Sequence, residues 1–73
     1  MNTTAAFELV VNGAVQQLPE RPATVGDLVR ALNLAGKRIA VERNGEIVPK
    51  GRYDDTAVSG DDRFEIVAAV GGG

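Results

Sequence analysis

Apolar and polar residues alternate from Phe7 onward, with Phe7, Leu9 and Val11 on one face and Glu8 and Val10 on the other. This is the period of a half-buried β-strand. Asn12-Gly13 follows at once; the pair tolerates the positive φ values of a type I′ turn, so Ala14 to Leu18 is predicted to fold back as a second strand. Pro19 and Pro22 end the pairing, since neither donates to a ladder. The period then changes. Val25, Leu28, Val29 and Leu32 stand at i, i+3, i+4 and i+7, one stripe of an amphipathic helix that leaves Asp27 and Arg30 toward water. Thr24 and Asp27 form an imperfect capping box at its start. Gly26 in the first turn weakens the helix by about 1 kcal/mol relative to Ala. Asn33 to Gly36 supply stop signals, and Lys37 and Arg38 suit the negative pole of the helix.

Ile39 and Val41 alternate with Ala40 and Glu42 as a third strand, and a second Asn-Gly turn, Asn44-Gly45, leads into a short fourth, Glu46 to Val48. Pro49 stops it. Lys50 to Ser59 is polar and irregular, with Tyr53 as its anchor and room for a turn of 3₁₀ helix. Gly60-Asp61-Asp62 makes the last turn. A final strand runs from Phe64 to Val70, with Phe64 and Ile66 on the core face and Glu65, Val67 and Ala69 opposite. Two hairpin-forming halves around one helix imply a sheet with that helix across one face. The other face is then wet or used. Val10, Val67 and Ala69 point there by the alternation, either as a small apolar contact patch beside the end of the chain or as scattered surface residues.

Composition narrows the chemistry. Seventy-three residues are read as a single domain, 1–73, with a core that is small but feasible without staples. Met1 to Ala6 has no period and is expected to be loosely held. There is no Cys and no His, which removes disulfides, thiolate metal sites, a cysteine nucleophile and the commonest proton shuttle together. The reading is therefore of a protein that is not an enzyme, with no catalytic residues of its own and no metal ligands. A net charge of −2 and a pI near 4.9 argue against nucleic acid as a partner. No apolar stretch reaches the length of a membrane span and no signal pattern opens the chain, so a cytoplasmic location is expected. Asp54-Asp55 and Asp61-Asp62 are read as solvated turn residues rather than a metal or acid/base pair. Lys50, Arg52 and Arg63 are read as solvated surface charges.

The chain ends Val70-Gly71-Gly72-Gly73. Without Cβ atoms such a thread enters a slot too narrow for other residues, and extended it reaches roughly 10 Å beyond the fold. One reading makes the terminal carboxylate a reactive group delivered into another protein's active site; the other is a frayed terminus.

The order of elements resembles the β-grasp fold of ubiquitin. Val41-Glu42-Arg43-Asn44-Gly45-Glu46-Ile47-Val48-Pro49, then Arg52-Tyr53, Gly60-Asp61-Asp62, Glu65-Ile66-Val67 and Val70-Gly71-Gly72-Gly73 resemble the sulfur carrier protein of thiamine biosynthesis, the ThiS family, over about residues 7 to 73. The six residues Met1 to Ala6 and the small Ala68-Ala69 pair depart from that pattern. The resemblance implies an α+β fold, a mixed sheet of four to five strands with one main helix across one face and a flexible tail, 71–73.

It implies a function as well. In such carriers a ubiquitin-activating-like enzyme of the ThiF type uses ATP and magnesium to adenylate the terminal carboxylate, here that of Gly73. Sulfur derived from cysteine by a donor system then displaces AMP and leaves a thiocarboxylate, whose sulfur thiazole synthase builds into the thiazole ring. The carrier itself binds no cofactor. Under this reading Gly73 carries the acyl group, Gly72 lets the backbone pass close to nucleotide, and Gly71 gives freedom where the strand ends. Val10, Val67 and Ala69 become the partner-binding positions. The alternatives are a carrier of another pathway, such as the small subunit of molybdopterin synthase, a modifier joined to lysines, and a β-grasp binding module whose tail has no chemistry.

Overall fold

The computed structural model describes residues 7–68. Five strands, one α-helix and one 3₁₀ helix follow in the order β1 (Phe7–Val11), β2 (Ala14–Leu18), α1 (Val25–Ala31), β3 (Ile39–Arg43), β4 (Glu46–Val48), the 3₁₀ helix Lys50–Asp55, and β5 (Arg63–Ala68). The strands form one sheet in the order β2-β1-β5-β3-β4. β1 and β5 run parallel at its centre, while every other pairing is antiparallel. This is the mixed sheet with one main helix that the β-grasp resemblance implies. Met1 to Ala6, the strand positions Ala69 and Val70, and the tail 71–73 lie outside the described residues.

Both hairpins close as the Asn-Gly pairs predict. Asn12 and Gly13 have φ of 54° and 78°, and Asn44 and Gly45 have 53° and 87°, the left-handed values that match a tight turn to the twist of its strands. The side chain of Thr24 caps α1 by accepting from the Asp27 N–H at 3.2 Å. At the other end Asn33, with φ of 62°, closes a Schellman motif. Its N–H donates to the Arg30 carbonyl at 3.0 Å, and the Leu34 N–H donates to the Val29 carbonyl at 2.9 Å. The helix therefore stops before Lys37 and Arg38. Arg30 is the basic residue of its last turn, and the two later cations belong to the loop beyond.

The alternation sorts the sheet's faces as read. Leu9, Val11, Leu18, Val41, Val48, Phe64 and Ile66 pack with Val25, Leu28 and Val29 of α1 and with Val58. Fully burying side chains such as Phe64 and Leu28 contributes roughly 1.5–3 kcal/mol each, which offsets the poor helix propensity of Gly26. The structure also gives Gly26 a reason: a Cβ there would collide with the Asp54 carboxylate, which leans over the helix from the 3₁₀ turn. The start of α1 is tied to the chain after that turn. Val25 N–H donates to Thr56 O at 2.9 Å, and Val58 N–H to Ala23 O at 3.2 Å.

Candidate functional site

The candidate site is the end of β5, from which residues 69–73 continue. β5 is central in the sheet, with β3 on one side and β1 on the other. On one side β3 pairs with it along its length, ending in Ile39 opposite Ala68. On the other side the β1 ladder covers only Val10 opposite Arg63 and Val11 opposite Phe64, because β1 turns away at Asn12. Asn12 prolongs that ladder by other means. Its backbone N–H donates to Phe64 O at 2.8 Å; its side chain accepts from the Ile66 N–H at 2.7 Å and donates to the Ile66 carbonyl at 2.9 Å. The side-chain amide thus stands in for one further strand residue. β5 is clamped on both sides as far as Ile66 and on the β3 side alone at Val67 and Ala68.

The start of β5 is fixed by a second polar network, and here the sequence reading is corrected. Asp62 is buried, 5% exposed, not solvated. Arg43 Nε donates to its Oδ2 at 2.9 Å, the Ser59 N–H to the same oxygen at 2.8 Å, and Asn44 Nδ2 to Oδ1 at 2.9 Å. Burial pushes the Asp62 carboxyl up. The hydrogen bonds from Arg43, Ser59 and Asn44, with the Arg43 charge, outweigh it and hold the group below the usual carboxylate range. Asn44 also binds Arg63, donating from its N–H to Arg63 O at 2.8 Å and accepting from the Arg63 N–H at 2.9 Å. Asp54, Asp55 and Asp61 are exposed as expected. Among the described residues no three carboxylates gather to hold a metal ion.

On the open face of the sheet the structure separates two residues read as one patch. Val10 is half-buried and lies between Val15 and Arg63. Val67 is 56% exposed and pairs with Ala40, four residues further along β5 and roughly 13 Å away at strand rise. Val10 and Val67 therefore do not adjoin; Ala69 lies outside the described residues, as do Gly71, Gly72 and Gly73. The face carries two exposed aliphatics that the sequence reading passed over, Val15 at 59% and Ile47 at 63%. The alternation of Ile47 with buried Val48 was the available signal. Between them stand Val10, Arg63, Glu65 and Glu42, the last two directly opposite each other, with Glu8 beyond Val10 opposite Gln17. The open face thus carries separate apolar spots among glutamates and the exposed Arg63, and Val67 is its large exposed aliphatic nearest the end of β5.

This fold defines a β-grasp domain whose C-terminal residues follow directly from the central strand of its sheet. The ThiS family model matches residues 6–73, and the chain belongs to the ThiS family. It is 38% identical over 65 residues to the sulfur carrier protein ThiS of Bacillus subtilis, covering 89% of this chain and 98% of that one. It is 44% identical over 67 residues to a thiazole synthase of Paramagnetospirillum magneticum, covering 92% of this chain but only 20% of that protein. The chain thus spans about a fifth of that relative's length. The crystal structure of the thiamine biosynthesis protein ThiS from Geobacter metallireducens superposes with a TM-score of 0.76 at 32% identity, over 90% of this chain and 99% of that one.

Proposed function

We propose that this protein is a sulfur carrier for thiazole formation in thiamine biosynthesis, with the carboxylate of Gly73 as the group that is activated and loaded. The observation that carries the reading is the family match across residues 6–73, which takes in the three terminal glycines. The clamped end of β5 supports it, because a reactive terminus is delivered accurately only if the strand leading to it is fixed relative to the docking surface.

A carboxylate is a poor acyl donor because its oxygen is a poor leaving group. A ThiF-type adenylyltransferase, using ATP and magnesium, joins the Gly73 carboxylate to AMP with loss of pyrophosphate. Sulfide-level sulfur delivered by a cysteine-derived donor system then attacks the acyl carbon, the new C–S bond replaces the C–O bond to AMP, and AMP departs. The resulting thiocarboxylate sulfur is nucleophilic and passes to thiazole synthase. Two relatives bearing that name, from Paramagnetospirillum magneticum and Magnetococcus marinus, contain a region similar to this chain, which supports thiazole synthase as the acceptor. The carrier supplies reach and docking in the cytoplasm; its partners supply catalysis. Gly72 lets the backbone pass close to the nucleotide, and Gly71 gives freedom at the root of the tail. Ordering the thread costs about 1–2 kcal/mol per residue, which docking through Val67 and the neighbouring open face must exceed.

The test is intact-mass measurement after incubation with the activating enzyme, ATP, magnesium and a sulfur donor. A carrier gains the mass of sulfur in place of oxygen at its terminus, and that form supports thiazole synthesis when the synthase is added. A protein whose mass stays unchanged is not a carrier. One that loads sulfur but serves only molybdopterin synthase belongs to the other pathway.

A further inference from the structure

On the helix side of the sheet, a groove of about 300 Å³ lies between the end of α1, the loop after it, the start of β3 and the 3₁₀ helix. Its apolar part is made by Val29, Leu34 and Ile39, with Tyr53 from the 3₁₀ helix. Its charged rim is unusual for an acidic protein. Arg30, Lys37, Arg38 and Lys50 line it against a single carboxylate, Asp54, so half of the chain's eight cations meet in one place.

These four are not equivalent. Arg30 is committed: its Nη2 contacts Asp27 at 2.7 Å and Asp54 at 3.5 Å. Among the described residues no carboxylate lies within ion-pair distance of Lys37, Arg38 or Lys50. Other acids lie elsewhere, including Glu8, Glu42 and Glu65 on the opposite face of the sheet. Three unpaired cations around an apolar floor form the complement of an acidic segment bearing an aliphatic side chain.

Position matters as much as charge. Ile39, one wall of the groove, is the cross-strand partner of Ala68, the last residue of β5 before the terminal segment. Anything seated in the groove therefore sits beside the end of β5. We propose that this groove is a docking site for an acidic segment, carrying an aliphatic side chain, of the enzyme that adenylates the tail. The proposal rests on the carrier reading above and adds to it a second contact surface, on the face away from Val67. Such a rim accelerates encounter and fixes orientation, and its contribution falls as salt screens it.

The experiment measures the dissociation constant of the full chain for its activating enzyme at low and high salt. Wild type is compared with Lys37→Glu/Arg38→Glu and with the control Arg21→Glu, whose charge lies in the connection between β2 and α1. The double variant is expected to bind about tenfold more weakly at low salt, because it reverses two rim charges that steer and orient the encounter, and to lose most of its salt dependence. Arg21→Glu is expected to bind nearly as wild type. Circular dichroism checks that each variant is folded. If wild type gains sulfur yet the double variant binds equally well, the groove is not a docking site and the carrier reading stands. If wild type gains no sulfur, the carrier reading falls and takes this partner with it. Should inorganic phosphate alone, added to the isolated chain, shift the amide resonances of Lys37 and Arg38 at micromolar concentration, the groove is a small-anion site and the proposal is overturned.

Discussion

The side chain of Asn12 brackets Ile66, accepting from its N–H at 2.7 Å and donating to its carbonyl at 2.9 Å, across 54 positions of sequence. One residue thereby makes the hairpin turn, with φ of 54°, and extends the parallel pairing that holds the end of β5.

Asn12→Ala removes both side-chain bonds and leaves a left-handed φ without the residue that tolerates it. Two lost hydrogen bonds and the backbone cost sum to about 2–3 kcal/mol. Urea unfolding should reveal that loss, and native-state hydrogen exchange should place the fastest relative gain at the Ile66 amide. Equal acceleration at all core amides would mean that the clamp acts only on global stability.

Asp62→Asn is expected to cost about 2 kcal/mol at neutral pH, since it leaves Arg43 without its charged partner. The pH dependence has a definite sign. The folded carboxyl lies below its unfolded value, because the hydrogen bonds from Arg43, Ser59 and Asn44 outweigh burial, which acts in the opposite direction. The ionised native form therefore adds stability that is complete above the ordinary carboxylate range and is lost as pH falls through the lowered value. Denaturation midpoints of the two proteins should converge on acidification below about pH 4. A gap that stays constant to pH 2 would contradict the assignment.

Gly26→Ala pits helix propensity against a collision. The colliding atom is the end of the Asp54 side chain, which is 77% exposed and free to swing outward, at the cost of a 3.5 Å contact with Arg30 that is worth little at the surface. A net gain of about 0.5 kcal/mol follows from the Ala preference. Destabilisation instead would show that Asp54 is fixed by more than Arg30.

Gly73→Ala places a methyl group beside the reacting carbon. Adenylation by the activating enzyme should fall by at least about tenfold, which corresponds to roughly 1.4 kcal/mol of barrier, while the melting temperature stays unchanged. Full turnover of this variant would contradict the proposed role of the tip.

Val67→Asp introduces charge at the large exposed aliphatic nearest the end of β5, on the same face as Glu65. It is expected to raise the dissociation constant for the activating enzyme about tenfold with little effect on folding, because Val67 is more than half exposed. Val10→Asp, by contrast, alters a half-buried position beside Val15 and Arg63 and should chiefly lower stability. Calorimetric binding titrations and thermal melts of the two variants separate these outcomes.

Much of this architecture is local in origin and so was legible before the fold was known. The alternation from Phe7 to Val11, the two Asn-Gly turns and the i, i+3, i+4, i+7 stripe from Val25 each depend on residues close in sequence. Phe64 and Ile66 fell on the core face as read, and the family likeness was carried by the turn and tail residues. Other features need partners that only folding supplies. Asp62 looked like one of two turn acids, because Arg43 and Asn44 reach it only once β3 lies beside β5. The same pairing makes Ile39 the neighbour of Ala68 and so sets the cationic groove beside the end of β5.

Local periodicity and turn chemistry, then, are properties of the chain itself, and they determined the elements, the face each presents to the core, and the three-glycine end. Register between distant strands is a property of the packed molecule. It alone decided that Val10 stands opposite Arg63 rather than near Val67, that Asn12 grips Ile66, and that Asp62 is buried. Each of these pairs two residues whose encounter is determined by how the hydrophobic faces of β1, β3 and β5 fit over one helix, and no spacing along the sequence encodes that fit.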